Sequence, residues 1–135
     1  MKTLLLIVDD EPDILKMTEL FLSASGYEIM TATRGEAALA AFESAPRRPD
    51  LVLADVVMPG MSGPMLIDRI RAIEPAIRVL FMSGYDERHV VQRYVVEQGY
   101  SLITKPFTHK GLQTAVQAAL APPAADPVTS GEPAS

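Results

Sequence analysis

The chain has 135 residues, no cysteine and a formal net charge of -5, from 12 basic and 17 acidic side chains. That length corresponds to one domain with room for a real core. Zero cysteine excludes a disulfide framework, a thiolate zinc site and a catalytic thiol, and the acidic balance argues against nonspecific binding to DNA or RNA, which needs clustered Lys and Arg.

The first apolar run is Leu4 to Val8. It is far below the ~20 residues of a membrane span and too short for a signal-peptide core. It predicts a buried strand, and Asp9-Asp10 follow it at once. Pro12 suits the first turn of a helix, whose apolar stripe is Ile14, Met17, Leu20 and Phe21, and Gly26 suits its end. Tyr27 to Thr31 is the second predicted strand, and Ala37, Ala38, Ala41 and Phe42 mark the second helix. Pro49-Asp50 precede the third strand, Leu51 to Ala54, with Asp55 just beyond it. Leu66, Ile67, Ile70 and Ile73 mark the third helix. Val79 to Met82 is the fourth strand, followed by Ser83-Gly84. Val91, Val95 and Val96 mark a fourth helix, and Leu102 to Thr104 is the fifth strand, followed by Lys105-Pro106. Leu112, Val116, Ala119 and Leu120 mark the fifth helix.

The runs at 4–8, 51–54 and 79–82 are apolar throughout rather than alternating. That suits parallel strands covered on both faces. Five strand–helix units predict an α/β domain over residues 1–120, with helices on both sides of a parallel sheet. Residues 121–135 hold four of the 11 prolines and no large apolar side chain except Val128. This composition predicts a disordered Ala/Pro-rich tail. The tail carries Asp126 and Glu132 and no base, so the predicted fold holds -3 of the charge.

Ligands of open parallel sheets bind beyond the carboxyl ends of the strands. Those ends carry Asp9, Asp10, Asp55, Ser83 and Lys105. Each alone reads as a turn residue, a helix cap or a solvated lysine. Together they place three carboxylates, a hydroxyl and an ammonium on one edge. Gathered carboxylates repel unless a cation joins them. Mg2+ takes one or two carboxylates plus a phosphate oxygen and keeps several waters. Lys105 and Ser83 suit the spread negative charge of a phosphoryl group in transfer. Asp55 is the candidate nucleophile, able to accept phosphate as an acyl phosphate.

Four fragments in order resemble the receiver domain of two-component response regulators. They are Leu5-Leu6-Ile7-Val8-Asp9-Asp10-Glu11-Pro12, Asp55-Val56-Val57-Met58-Pro59-Gly60-Met61-Ser62-Gly63, Phe81-Met82-Ser83-Gly84-Tyr85 and Lys105-Pro106-Phe107. The resemblance covers residues 3–120. It implies a doubly wound, flavodoxin-like (βα)5 fold of strand order 2-1-3-4-5, with Asp55 as phosphoacceptor. It also implies Mg2+, with Mn2+ as the alternative, held by Asp10, Asp55 and the Val57 carbonyl, with Asp9 acting mostly through water. Ser83 and Lys105 would each bind a phosphoryl oxygen, and the Lys105-Pro106 peptide would be cis. The donor would be a phosphohistidine on a sensor histidine kinase or a histidine phosphotransfer protein. The Met-Ser-Gly-Tyr stretch at 82–85 is most similar to receivers attached to hybrid sensor kinases.

The chain departs from the family at Leu102, where family members usually carry Tyr or Phe. Tyr100 lies two residues earlier on the same strand face. It is a substitute for the missing ring, against a plainer reading of strand packing. Tyr85 and Val57 sit where an attacking water must approach, so they are expected to slow hydrolysis. The fourth helix, fifth strand and fifth helix form a candidate partner or homodimer surface. His89 and His109 lack a second ligand at zinc spacing and read as surface residues.

Three rival functions lack their marks. A dehalogenase-type phosphatase resembles Asp-x-Asp at the nucleophile strand, and that position is Val57. No glycine-rich phosphate loop follows any strand. After the fifth helix only the tail remains, which leaves no room for a helix-turn-helix. The expectation is a cytoplasmic phosphoacceptor domain that acts by protein contact. It needs no nucleic acid or membrane, and it is not an enzyme on an external substrate.

Overall fold

The structure, a computed structural model, describes residues 2–84, 93, 95 and 97–121. Its strands are β1 (Leu4–Val8), β2 (Glu28–Ala32), β3 (Leu51–Asp55), β4 (Arg78–Ser83) and β5 (Ser101–Thr104). They form one parallel sheet in the order β2-β1-β3-β4-β5, as the family resemblance implied. The helices with described bounds are α1 (Pro12–Ala24), α2 (Gly35–Ser44), α3 (Gly63–Ile73) and α4 (His109–Leu120), the last being the fifth helix of the sequence reading. Most of the predicted fourth helix lies outside the described residues, with Tyr85, His89, Val90, Val91, Tyr94 and Val96. So do residues 122–135 of the predicted tail. Among the described residues, no helix is long and apolar enough to cross a membrane.

The strands are apolar throughout because successive side chains serve opposite faces, and both faces are covered. Leu6, Val8, Val52, Ala54 and Phe81 pack on one side with Phe42 of α2 and Leu66, Ile67 and Ile70 of α3. Leu5, Ile7, Leu53, Leu80 and Met82 pack on the other with Leu15 and Leu22 of α1 and Leu112 and Val116 of α4. A fully buried Leu, Ile or Phe contributes about 1.5–3 kcal/mol. The sheet therefore links two cores, and its polar carboxyl edge is held by both.

The α1 face differs from its predicted stripe. Leu15, Thr18 and Leu22 are buried, whereas Leu20 is 61% exposed. A polar residue inside the apolar face hid the true spacing. Thr18 is tolerated there because its hydroxyl donates to the Ile14 carbonyl at 2.7 Å. α1 ends as expected at Gly26, with φ +96. The Gly26 N–H donates to the Ser23 carbonyl and the Tyr27 N–H to the Leu22 carbonyl, a paired closure that a left-handed glycine permits. Glycine is required for a different reason at position 63, where a Cβ would lie 2.3 Å from the Asp55 carbonyl oxygen. α3 therefore starts in direct contact with the end of β3.

At the opposite end of the sheet, the Arg78 guanidinium donates to the carbonyls of Leu120 and Ala121. These are the last carbonyl of α4 and that of its C-cap residue, which have no partner within the helix. On the α2 and α3 side of the sheet, the Tyr100 ring meets the buried Phe81 edge-on at 5.1 Å, and the Arg71 guanidinium lies 5.1 Å from its centroid. Leu102 pairs with Phe81 in register and packs against the same core. His109 is exposed, as expected of a surface residue, and also stacks on Phe21 at 4.8 Å.

Candidate functional site

Sheet pairing brings the polar residues together. The Asp9 N–H donates to the Ala32 carbonyl at 3.2 Å, which continues the β1–β2 ladder past Val8. Asp55 is the last residue of β3 and pairs with Met82. Ser83 is the last residue of β4 and pairs with Thr104. Both strands run one residue further than the sequence suggested, because the ladder carries the polar residues along. The Lys105 N–H donates to the Ser83 carbonyl at 2.8 Å, which fixes the lysine backbone against β4. The Lys105-Pro106 peptide is cis, as expected.

The side chains then converge on the Lys105 ammonium. Its Nζ lies 2.8 Å from Asp9 Oδ2, 3.0 Å from Glu11 Oε1 and 3.1 Å from Asp55 Oδ2. Asp9 is 0% exposed and Asp55 4%. Asp9 Oδ1 also accepts the Glu11 N–H at 3.0 Å. Burial is the largest single influence on Lys105 and pulls its pKa down. The hydrogen bond to Asp9, the charges of Asp55 and Asp9, and the Glu11 contact outweigh it. The ammonium is therefore held above the ordinary lysine range and stays charged at neutral pH.

Glu11 belongs to this cluster although sequence reasoning assigned it no role. Asp9, Glu11 and Asp55 offer carboxylate oxygens within 4.8 Å of one another. The backbone at Glu11 is extended, with φ -96 and ψ 106. The chain bends at Asp10, and the Asp9 side chain closes that bend by accepting the Glu11 N–H, which accounts for Asp9 and Glu11 lying together. Asp10 is half-buried and lines an adjacent cleft of about 570 Å³ with Thr33, Arg34, Glu36 and Pro59. The sequence signal for Glu11 was available: glutamate stands at the N-cap of α1, a position it fills poorly, and makes no capping bond there.

Ser83 is fully buried, and its hydroxyl donates to the Gly84 carbonyl at 3.2 Å. Val57 is exposed on the loop after β3. That loop is pinned on either side of it: the Val56 N–H donates to the Met82 carbonyl and the Gly63 N–H to the Val56 carbonyl, each at 2.9 Å. Ser62 caps α3 by accepting the Met65 N–H at 3.2 Å. The donor set is carboxylate oxygen around a strand-end aspartate, which fits a hard divalent cation. Chemically, the edge offers a buried carboxylate with an ammonium at hydrogen-bond distance and a hydroxyl on the next strand.

A family model described as the response regulator receiver domain matches residues 5–117. Sensor kinase CckA of Brucella abortus is 34% identical over 112 residues, covering 83% of this chain and 12% of that protein. Sporulation initiation phosphotransferase F of Bacillus subtilis is 33% identical over 113 residues, covering 84% of this chain and 90% of that protein. The chain spans 12% to 43% of the length of the first three curated relatives it matches. Among solved structures, the receiver domain of NtrX from Brucella abortus aligns with a TM-score of 0.78 at 33% identity, covering 86% of this chain and 97% of that one. Vibrio cholerae chemotaxis protein CheY4 aligns with a TM-score of 0.80 at 28% identity, covering 89% of this chain and all of that one.

Proposed function

The chain belongs to the response regulator receiver domain family of two-component systems, and on that premise we propose that Asp55 takes a phosphoryl group from a phosphohistidine. The observation that carries this is the contact of Lys105 Nζ with the buried Asp55 carboxylate at 3.1 Å. A carboxylate oxygen of Asp55 attacks phosphorus. The P–O bond forms, the P–N bond breaks, and the imidazole nitrogen keeps the electron pair. Lys105 follows the new charge onto one phosphoryl oxygen. The Ser83 hydroxyl leaves the Gly84 carbonyl and donates to another.

A bound Mg2+ supplies charge neutralisation between carboxylate and phosphoryl oxygens, and Mn2+ is the alternative. Asp10, Asp55 and the Val57 carbonyl would hold it, with Asp9 acting through water. Attack of water on the acyl phosphate returns Asp55 to its free form. The chain acts on its own phosphoryl group and on no external substrate. Its donor is a sensor histidine kinase or a histidine phosphotransfer protein, met in the cytoplasm. The signal passes through the face of the predicted fourth helix, β5 and α4, which also serves as the homodimer surface.

The test is incubation with a small phosphodonor and Mg2+, read by intact mass. Wild type gains one phosphoryl group and Asp55→Asn gains none. An unmodified wild type overturns the reading.

A further inference from the structure

We propose that Glu11 is a latch on Lys105, closed before phosphorylation and opened by the incoming phosphoryl group. This inference rests on the reading that Lys105 pairs with a phosphoryl oxygen. An ammonium has three donors and no acceptor. Here Glu11 at 3.0 Å and Asp55 at 3.1 Å each accept a hydrogen bond from it, and the Asp9 carboxylate crowds the remaining side as an ion pair at 2.8 Å. A phosphoryl oxygen therefore reaches Nζ only by displacing a carboxylate.

Burial decides which one leaves. Asp9 is fully buried and also holds the Glu11 N–H, so losing Lys105 would strand it away from water. Asp55 carries the phosphoryl group and stays beside it. The Glu11 side chain is 60% exposed and passes into solvent on release. Its side chain forms no capping bond at the start of α1, so its release breaks no helix cap. Glu11 is thus a positioning residue. It parks the Lys105 ammonium in the unphosphorylated state and opposes its transfer to phosphate.

The latch adds only to the barrier of phosphorylation. Once the phosphoryl group is in place, Lys105 is already on it, and hydrolysis does not require Glu11 to move. Opening an exposed ion pair corresponds to about a two- to fivefold change in rate. The experiment compares wild type, Glu11→Gln and Glu11→Asp with acetyl phosphate at saturating Mg2+, read by intact mass against time. A second measurement follows decay of the phosphorylated form after donor removal.

Glu11→Gln is expected to phosphorylate about two- to fivefold faster with an unchanged decay half-life. Glu11→Asp keeps the charge but is one methylene too short to reach Nζ, so it is expected to match Glu11→Gln. A faster Gln variant with an Asp variant at the wild-type rate would show plain charge repulsion of the anionic donor and overturn the latch. A slower rate in either variant would show that Glu11 assists the reaction and overturn it equally. A decay half-life altered in parallel with the rate overturns it as well. A wild type that takes no phosphate overturns the functional reading itself, a result distinct from all of these.

Discussion

Lys105→Met removes the positive charge at the centre of the site while keeping an apolar stem of similar length. Of the three ion pairs lost, the one to Glu11 is exposed and worth at most about 1 kcal/mol. The other two leave Asp9 and Asp55 buried side by side without their cation. Removing one partner of a buried pair costs about 3–5 kcal/mol. The site opens to water on the Glu11 side, which argues for the lower part of that range. A loss of about 3 kcal/mol with a urea m-value of about 1.5 kcal/mol/M lowers the unfolding midpoint by about 2 M.

The assay is urea unfolding by far-UV circular dichroism at pH 7 with a chelator present. Added Mg2+ is expected to close part of the gap, since a cation binding the folded carboxylates stabilises by mass action. The folded pKa of Lys105 is raised above its ordinary value of 10.5. Its contribution is therefore fully present below pH 10.5 and is lost as pH rises through the higher folded value. The gap between wild type and variant should hold from neutral pH to about pH 10 and narrow above it. A variant at least as stable as wild type in chelator would refute the reasoning, because the buried carboxylates would then not depend on the ammonium.

Gly63→Ala places a methyl carbon 2.3 Å from the Asp55 carbonyl oxygen and 3.1 Å from the Phe81 ring. It should cost about 1–3 kcal/mol in urea unfolding and slow phosphorylation, since α3 and the end of β3 must part. An unchanged midpoint with normal phosphate uptake would contradict the close approach. Tyr100→Leu removes the edge-on contact with Phe81 and the ring beneath the Arg71 guanidinium. It should lower stability by about 1–2 kcal/mol, and an equal loss in Arg71→Ala without further loss in the double variant would show that the two are coupled.

The strand positions were legible because each buried parallel strand is a short apolar run followed by a polar residue. Asp55, Ser83 and Lys105 were found by that rule alone. The rule places residues at strand ends and says nothing of which way each side chain turns. For that reason it grouped Asp9 with Asp10, whereas a bend at Asp10, closed by the Glu11 N–H on the Asp9 carboxylate, groups Asp9 with Glu11 around the ammonium. The face of α1 was hidden by chemistry of a different kind. Thr18 looks polar in sequence, and only its bond to Ile14 shows how it joins the core. The contact of Gly63 with the Asp55 carbonyl could not be read at all, since it joins two backbones eight residues apart through a turn whose shape no side-chain pattern records.

The Arg78 clamp on the carbonyls of Leu120 and Ala121 has a practical consequence for how the molecule can be handled. Arg78 and Ser83 are the two ends of β4, five residue steps apart. At about 3.3 Å per step the clamp lies roughly 16–17 Å from the reactive edge. Position 121 is therefore held at the far end of the sheet, and a small fluorophore attached there reports on the domain from well clear of its chemistry.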